Sequence, residues 1–539
     1  MDHGNATALT PGTRSWVRGY VAVLVVGFTA LFLLTRSSVL PGDATRYINV
    51  ARAGDLAEFH YGNPSHFLQI PLSRLIWQAA SAVGVSLSIE HIVVALALAG
   101  TLAAIIFVGL IAEHFTGTRR AAWIGAVLFG TSLHVWTQVN GEQYGLALGF
   151  VTAGLWMALR GGRVGAGLLF GFAMISHSEF LFAGPAFVLA TWRAHADGRS
   201  SAKSVQSVAM VLAVAGLFTV VSIVGGLWLM GRWSTPSELV AWIQHVLAVD
   251  HAYTVGSPEP FRAMKGLITA LTSGGHLWRD ILTRRGDLAS PRFLALSAVG
   301  LGVLLTMAAS LRGAWANRPA FVFGLVWLLP FHVLGNWWFE STVEKYHGGA
   351  LAALVVLVTV GLVQLTASWR PQISAACCAA FVAASGGLNL IAVMLPLQQL
   401  GIGRDQAEQQ IRRLMQQDTG AIFMACDAFM PLVQADAPYF RVRSYWTGPP
   451  AEIQQKLRSW VQAKIDEGKT PYLMGRWCHP EEWITDWSLV PFDLYFLQDT
   501  FVFEPTSVVN VPLEEGVATN PNSWRRGDVV RLKRRSIPQ

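Results

Sequence analysis

Charge is scarce in this sequence. Asp, Glu, Lys and Arg make up 14% of its 539 residues, where a soluble protein carries roughly 25%. Set against 53% hydrophobic residues, with 21 Trp and 28 Phe, that shortage excludes an ordinary soluble fold and makes the chain an integral membrane protein. Runs of Lys or Arg are missing as well. The net charge of +7 is small for the length. Without a basic arm it reflects basic loops and not nucleic-acid binding. Neither standard glycine-rich phosphate loop is present, so nothing in the sequence asks for a nucleotide. A small-residue cleavage site is also absent after the first apolar run, "VAVLVVGFTALFLL", and the first span is expected to be retained.

What is present is a succession of apolar runs long enough for the roughly 17–25 residues that cross a bilayer. They fall near 17–35, 90–112, 121–138, 144–160, 205–230, 293–311, 319–337, 348–367 and 374–396. The segment 165–192 is long enough for two short spans around the polar group "SHSE". The sequence therefore predicts a mainly α, polytopic membrane protein of about eleven transmembrane helices. The half-apolar "HFLQIPLSRLIWQAASAVG" (66–84) holds Pro71 and Arg74 and reads as a helix lying in the interface.

Short-loop Lys and Arg set the orientation. With the N-terminus cytoplasmic, the inner loops carry Arg14 and Arg18, Arg119 and Arg120, Arg160 and Arg163, then Arg193, Arg199 and Lys203. Arg312, Arg318 and Arg370 continue the series. Every predicted inner loop is basic, and the chain from about residue 397 is expected on the outer face. The acids then sort to the outer ends of spans: Asp43, Asp55, Glu58, Glu142, Glu179, Glu340 and Glu344. A lone acid at a span end is a solvated collar. Several acids, cations and aromatics meeting on one face of a bundle are candidates for acid–base work.

The order of those groups carries a resemblance. Asp43, Arg46 and Tyr47 follow the first span at the spacing D-x-x-R-Y, and "NPSHFLQIPLSRLIW" opens the interfacial helix. A second acidic group, "NGEQYGLAL" (140–148), comes at the next outer loop. "GLLFGFAMISHSEFLFAGP" (167–185) joins a glycine-rich span to a polar turn and a proline, and "WFESTVEKYHGG" (338–349) precedes a late span. Over about residues 15–396 the chain resembles the GT-C class of polyprenyl-phosphate-sugar-dependent glycosyltransferases, which includes protein O-mannosyltransferases and the lipid A aminoarabinose transferase. It departs from that pattern where Ala44 follows Asp43, since many members carry a second acid there. "NPSHF" also stands in place of the usual His-Pro or Pro-Pro.

The resemblance implies a GT-C-like membrane domain over 1–396, with outer-face interfacial helices at 43–84 and an outer loop at 232–290. It implies inverting transfer of a sugar from a polyprenyl-phosphate donor to a protein, lipid or glycan acceptor at the outer face. Asp43 matches the family's base. Glu142 would position the acceptor or help orient Asp43. Arg46 and Lys345 are the candidates for the donor phosphate, a guanidinium being suited to bidentate grip. Tyr47, His177, Glu179, Glu344 and Tyr346 complete the substrate-binding candidates. A divalent metal stays open as cofactor, with His177, Glu179 and Glu142 as conceivable ligands that no spacing supports.

Each residue also has a plainer reading. Asp43 is a favoured helix N-cap for "ATRYINVARA", and Arg46 can snorkel to headgroups. Tyr47, Trp337 and Trp338 suit an aromatic belt. His177 and Glu179 suit a mutually satisfied polar pair. Glu340 and Glu344 are like charges at i,i+4, with Lys345 as the cation between them.

Beyond residue 397 charge rises and long apolar runs stop. Strand-like "AIFMAC", "TPYLMG" and "DVVRLKRR" alternate with helix-like "RDQAEQQIRRLMQQ" and "PAEIQQKLRSWVQAKIDEG". The residues 397–539 thus predict a small soluble α/β domain on the extracytoplasmic side. Cys426 and Cys478 follow two of the strands; in an oxidising space they pair as a disulfide, and otherwise they are buried thiols. Two other readings of the whole chain stay open. An oligosaccharide polymerase or ligase would use the 232–290 loop. A transporter or flippase would need charges at mid-membrane depth and two related halves, and neither is evident. Gly and Ala richness with no sorting motif points to a bacterial inner membrane.

Overall fold

The computed structural model describes residues 11–35, 42–54, 56, 67–139, 141, 144–196, 201–231, 235–250, 260–272, 291–336, 347–395, 408–425, 437–441, 450–474, 497, 499–506 and 529–535. Its helices in chain order are α1 (Pro11–Thr35), α2 (Gly42–Ala53), α3 (Gln69–Ala82), α4 (Ile89–Thr116), α5 (Arg119–Gly130), α6 (Leu133–Gln138), α7 (Tyr144–Leu159) and α8 (Arg163–Ser176). There follow α9 (Gly184–Ala196), α10 (Ser201–Leu229), α11 (Pro236–Asp250), α12 (Pro260–Leu271), α13 (Pro291–Ala314), α14 (Arg318–Leu329), α15 (Gly348–Leu365), α16 (Pro371–Asn389) and α17 (Pro450–Asp466). Among the described residues six helices are long and apolar enough to cross a bilayer, and Tyr144–Leu159, Arg163–Ser176 and Arg318–Leu334 are shorter apolar ones. The expected spans thus appear as helices, but 319–337 and 374–396 pass into π-helical turns at Pro330–Asn336 and Leu390–Met394, and one run is broken. The run 121–138 breaks into α5 and α6 because the Ser132 hydroxyl accepts from the Val135 N–H and caps a new helix.

The chain divides into two compact units, Met1–Arg36 with Arg46–Met394 and Ser37–Thr45 with Leu395–Gln539. In the first, α4 and α15 are the most enclosed long helices, with 61% and 83% of their spanning windows buried. Both are apolar on every side, as a helix at the centre of a bundle must be. The ends of α4 are written into its sequence. Ser88 accepts from the His91 N–H, while Gly117 takes the left-handed conformation and donates to the Glu113 carbonyl at 2.7 Å.

The basic residues of the predicted inner loops gather at one end of this bundle. Arg119 stacks over Trp16 at 5.2 Å, and Arg160 lies over Trp156. Arg163 Nε donates to His195 Nε2 at 3.2 Å, and Arg193 Nη1 to the Pro319 carbonyl at 2.6 Å. The amino ends of α5, α8 and α14 therefore share one side, and the start of α7, the end of α8 and the short turn after it lie at the other.

Among the described residues the second unit holds five strands: β1 (Ala421–Ala425), β2 (Tyr439–Arg441), β3 (Thr470–Met474), β4 (Phe501–Pro505) and β5 (Val529–Arg534), in the order β2-β1-β3-β5-β4. β1 runs parallel to β2 and β3, and β5 antiparallel to β3 and β4. The crossover that parallel pairing needs is α17, whose Leu457 and Val461 are buried. Cys426 and Cys478 lie outside the described residues. At the start of β1, Asp418 accepts from the Tyr472 hydroxyl at 2.8 Å and the Gly420 N–H at 3.0 Å. Burial pushes the Asp418 carboxyl up, but hydrogen bonds from Tyr472, Thr470 and Gly420 and the Arg531 charge outweigh it and hold the group below the ordinary range. A lowered folded value stabilises the fold above the unfolded value, about pH 4, and that contribution is lost as pH falls through the folded value. Asp418→Asn is expected to cost about 1 kcal/mol at pH 7 and nothing below pH 3. Hydrogen exchange of β1 and β3 at the two pH values measures it, and an equal cost at both would remove the linkage.

Candidate functional site

α2 carries the D-x-x-R-Y motif. It begins at Gly42, so Asp43 stands inside the first turn and not at the N-cap, where an acid is favoured by the helix dipole. Asp43 and Arg46 are three residues apart on this one helix, as the spacing predicts. Ala44, Tyr47, Ile48 and Ala51 form its buried stripe, the i, i+3, i+4, i+7 pattern of a face turned to a core. Tyr47 is 4% exposed and is not a lipid-facing belt residue.

The far end of α2 is clamped. Arg74, on α3, donates from Nη1 to the Ala51 carbonyl at 2.7 Å and to the Arg52 carbonyl at 3.4 Å. These last-turn carbonyls have no amide within the helix to satisfy them, and a cation there also answers the dipole. Gly54 follows at φ +90°, and a methyl on it would sit 2.7–2.9 Å from the Arg74 guanidinium, so only glycine closes this end. Arg52 pairs with Glu90 at 2.9 Å, but both side chains are more than a third exposed and the pair adds little. Arg74→Ala removes a charged donor worth about 1.5–3 kcal/mol. Amide exchange in the last turns of α2 is expected to accelerate roughly tenfold to a hundredfold. Unchanged exchange would mean that the clamp does not order α2.

α3 enters the bundle beside α8. The Phe67 N–H donates to the Ile175 carbonyl at 2.8 Å, and Phe67, Ile175, Leu227 and Trp242 form one buried cluster. That cluster ties α8 to α10 and α11, so one helix of the expected 232–290 loop folds back onto the bundle. The other is α12. Just after Ile175, α8 ends at Ser176 and a 3-10 turn, Ser178–Ala183, leads to α9. His177 and Glu179 lie in this connection. Their side chains approach to 3.8 Å, within ion-pair distance. His177 Nδ1 accepts from the Glu179 backbone N–H at 3.3 Å, and the Glu179 carboxyl accepts from the Tyr144 hydroxyl. Tyr144 lies against the His177 ring with centroids 4.0 Å apart, and Phe180 closes the group edge-on to His177. The result is a half-buried acid, imidazole and phenol at the start of α7, two residues after Glu142.

Below it are two glutamines that sequence reasoning passed over. Gln69 Nε2 reaches the Val93 and Gly141 carbonyls at 3.4 Å each, while its Oε1 has no partner. Gln138 is fully buried, and neither of its amide atoms is hydrogen-bonded. Buried amides are ordinarily paired, and these atoms depart from that rule among the described residues. Their signal in the sequence was only position: Gln69 lies within "NPSHFLQIPLSRLIW" and Gln138 just before "NGEQYGLAL", which also contains Tyr144.

Glu142, Glu344, Lys345 and Tyr346 lie outside the described residues. As to a metal, His177 Nδ1 is already an acceptor for an amide. Among the described residues no three ligating side chains converge. The residues described here do not fit a metal ion, and no step below is routed through one.

No protein-family model matches the chain, and no curated protein sequence matches it significantly. Solved structures do. ArnT from Cupriavidus metallidurans bound to undecaprenyl phosphate matches over 95% of this chain and 98% of its own, at 13% identity and a TM-score of 0.53. The apo state of the same protein matches over the same shares with a TM-score of 0.50. The oligosaccharyltransferase AglB from Archaeoglobus fulgidus is more distant, at 10% identity and a TM-score of 0.43 over 92% of this chain. What is shared with ArnT is the fold, and it is shared along nearly the whole of both chains.

Proposed function

We propose that this chain is a membrane glycosyltransferase that moves a sugar from a polyprenyl-phosphate donor to an acceptor at the outer face of a bacterial inner membrane. The observation that carries this reading is the end-to-end likeness in fold to a transferase captured with undecaprenyl phosphate, together with an anchored α2 that presents D-x-x-R-Y straight after the first span.

In this reading Asp43 accepts the proton of the acceptor hydroxyl as its oxygen attacks the anomeric carbon. The bond from that carbon to the phosphate oxygen breaks in the same displacement, and the configuration inverts. The polyprenyl phosphate leaves with its charge met by Arg46 and Lys345. Glu142 orients the acceptor. Tyr144, His177 and Glu179 supply an aromatic face and polar groups of the kind that bind a sugar, and Gln69 Oε1 and the Gln138 amide add polar atoms for its hydroxyls. Glu344, Tyr346 and Tyr47 support that pocket.

Purified protein is to be incubated with radiolabelled polyprenyl-phosphate sugars and a membrane extract as acceptor source. Transfer of label with release of polyprenyl phosphate is the expected result. Transfer of whole lipid-linked oligosaccharides, with none from single-sugar donors, would replace this reading by a polymerase or ligase.

A further inference from the structure

The other end of the bundle holds a site of a different kind. Between α5 and α16 lies a cleft of about 650 Å³, its walls including Trp123, Val127, Ala379, Val382, Ala383 and Gly386. Small residues recur along α16 at Ala375, Ala379, Ala383 and Gly387, and they hollow that side of the helix. The walls are apolar over nearly their whole length, and the exception stands at one end. There Arg120 Nη2 donates to Thr366 Oγ1 at 2.9 Å, Ser374 Oγ at 2.6 Å and Cys378 Sγ at 2.9 Å. All three partners are neutral, and Nε is buried without a partner. A guanidinium is always charged, so this cleft ends in a cation that the described residues do not neutralise. Arg119 stands beside it.

Dimensions narrow the occupant. From Arg120 to Thr131, both lining the cleft, α5 and its cap rise about 16 Å at 1.5 Å per residue. That is close to half of the roughly 30 Å hydrocarbon core, the depth of one leaflet. Over this length the cleft offers about 650 Å³, room enough for a hydrocarbon chain. On the sidedness expected from the basic loops, Arg120 is at the cytoplasmic surface.

We propose that the cleft binds an acyl chain of an anionic phospholipid of the cytoplasmic leaflet, with the phosphate at Arg120. The site is independent of sugar transfer. It lies along the seam of α5 and α16, which Arg120 joins at one end and Asn389, donating to the Thr131 and Leu271 carbonyls at 2.7 and 2.9 Å, at the other.

The test is native mass spectrometry of the intact chain with phosphatidylglycerol or phosphatidylcholine of the same acyl chains. The wild type is expected to retain one phosphatidylglycerol about tenfold more tightly than phosphatidylcholine. Arg120→Gln is expected to abolish that preference, and Ala383→Trp, which fills the cleft, to abolish the tight binding of both. If either variant fails to fold, the wild type still decides. Alkylation of Cys378, followed by peptide mass spectrometry, should slow about tenfold when phosphatidylglycerol is added. Equal retention of the two lipids by the wild type, unchanged binding in both variants, unprotected Cys378, or loss of a dimer instead of a lipid in Ala383→Trp would each overturn the proposal.

Discussion

Asp43→Asn is expected to lower kcat for sugar transfer by about 10²–10⁴-fold, the contribution of a positioned general base. The amide is nearly the same size but cannot take the acceptor's proton at neutral pH, so donor binding, and with it KM, should change little. Stability should change little too. Asp43 lies in the first turn of α2, where losing the carboxylate forfeits a dipole interaction of about 0.3–1 kcal/mol. Kinetics with labelled donor, beside thermal unfolding of the same preparation, separate the two effects. A folded Asp43→Asn chain with wild-type turnover would remove the base and the proposal that rests on it. Asp43→Glu should recover part of the loss, since it keeps the acid and displaces it by one methylene. A helix cap alone would not show that recovery together with an intact fold.

The spans could be read from sequence because each is a single apolar run, and the hydropathy of a run does not depend on its neighbours. The basic end of the bundle was legible for the same reason: Arg119, Arg160, Arg163 and Arg193 mark loops one by one, and the structure then brings them together. Contacts between distant segments were not legible. Arg74 stood out as a cation in an apolar helix, but nothing local says that its partners are carbonyls 23 and 22 residues earlier. That His177 and Glu179 pair could be read from their adjacency, but not that Glu179 is also engaged by Tyr144, 35 residues away in sequence. Gln69 and Gln138 have the composition of surface residues, and only packing makes them buried. In the second unit β1, β3 and β5 stood out, while β2 at three residues is too short to register beside the turns around it; β4, as long as β1 and β3, is the short apolar run "FVFEP" cut off by an acid and a proline.

Gly100→Ala is expected to destabilise the bundle and to carry the damage into the site. α4 and α7 cross where Gly100 meets Gly145, Leu146 and Gly149. A methyl on Gly100 would collide with the Leu146 Cα and stand 2.5 Å from the Gly145 oxygen and 2.6 Å from the Leu146 nitrogen. These are backbone atoms, so no rotamer change relieves the contact and the helices must separate. Overpacking of this kind costs about 1–3 kcal/mol, against a gain of up to about 1 kcal/mol for replacing glycine in a helix. Gly302→Ala, on α13, isolates that gain, because nothing lies within 4 Å of the added methyl; it should leave stability unchanged or raise it slightly. Thermal unfolding of the two variants in one detergent should therefore move in opposite directions. Equal stability would mean that the crossing yields without cost. The functional consequence follows from position. The residues that Gly100 would push against are in the first turn of α7, next to Tyr144, whose ring rests 4.0 Å from His177 and whose hydroxyl serves Glu179. Separating α4 from α7 moves that phenol and the Gly141 loop together, so Gly100→Ala should lose transfer activity even at temperatures where it remains folded, as Gly302→Ala should not.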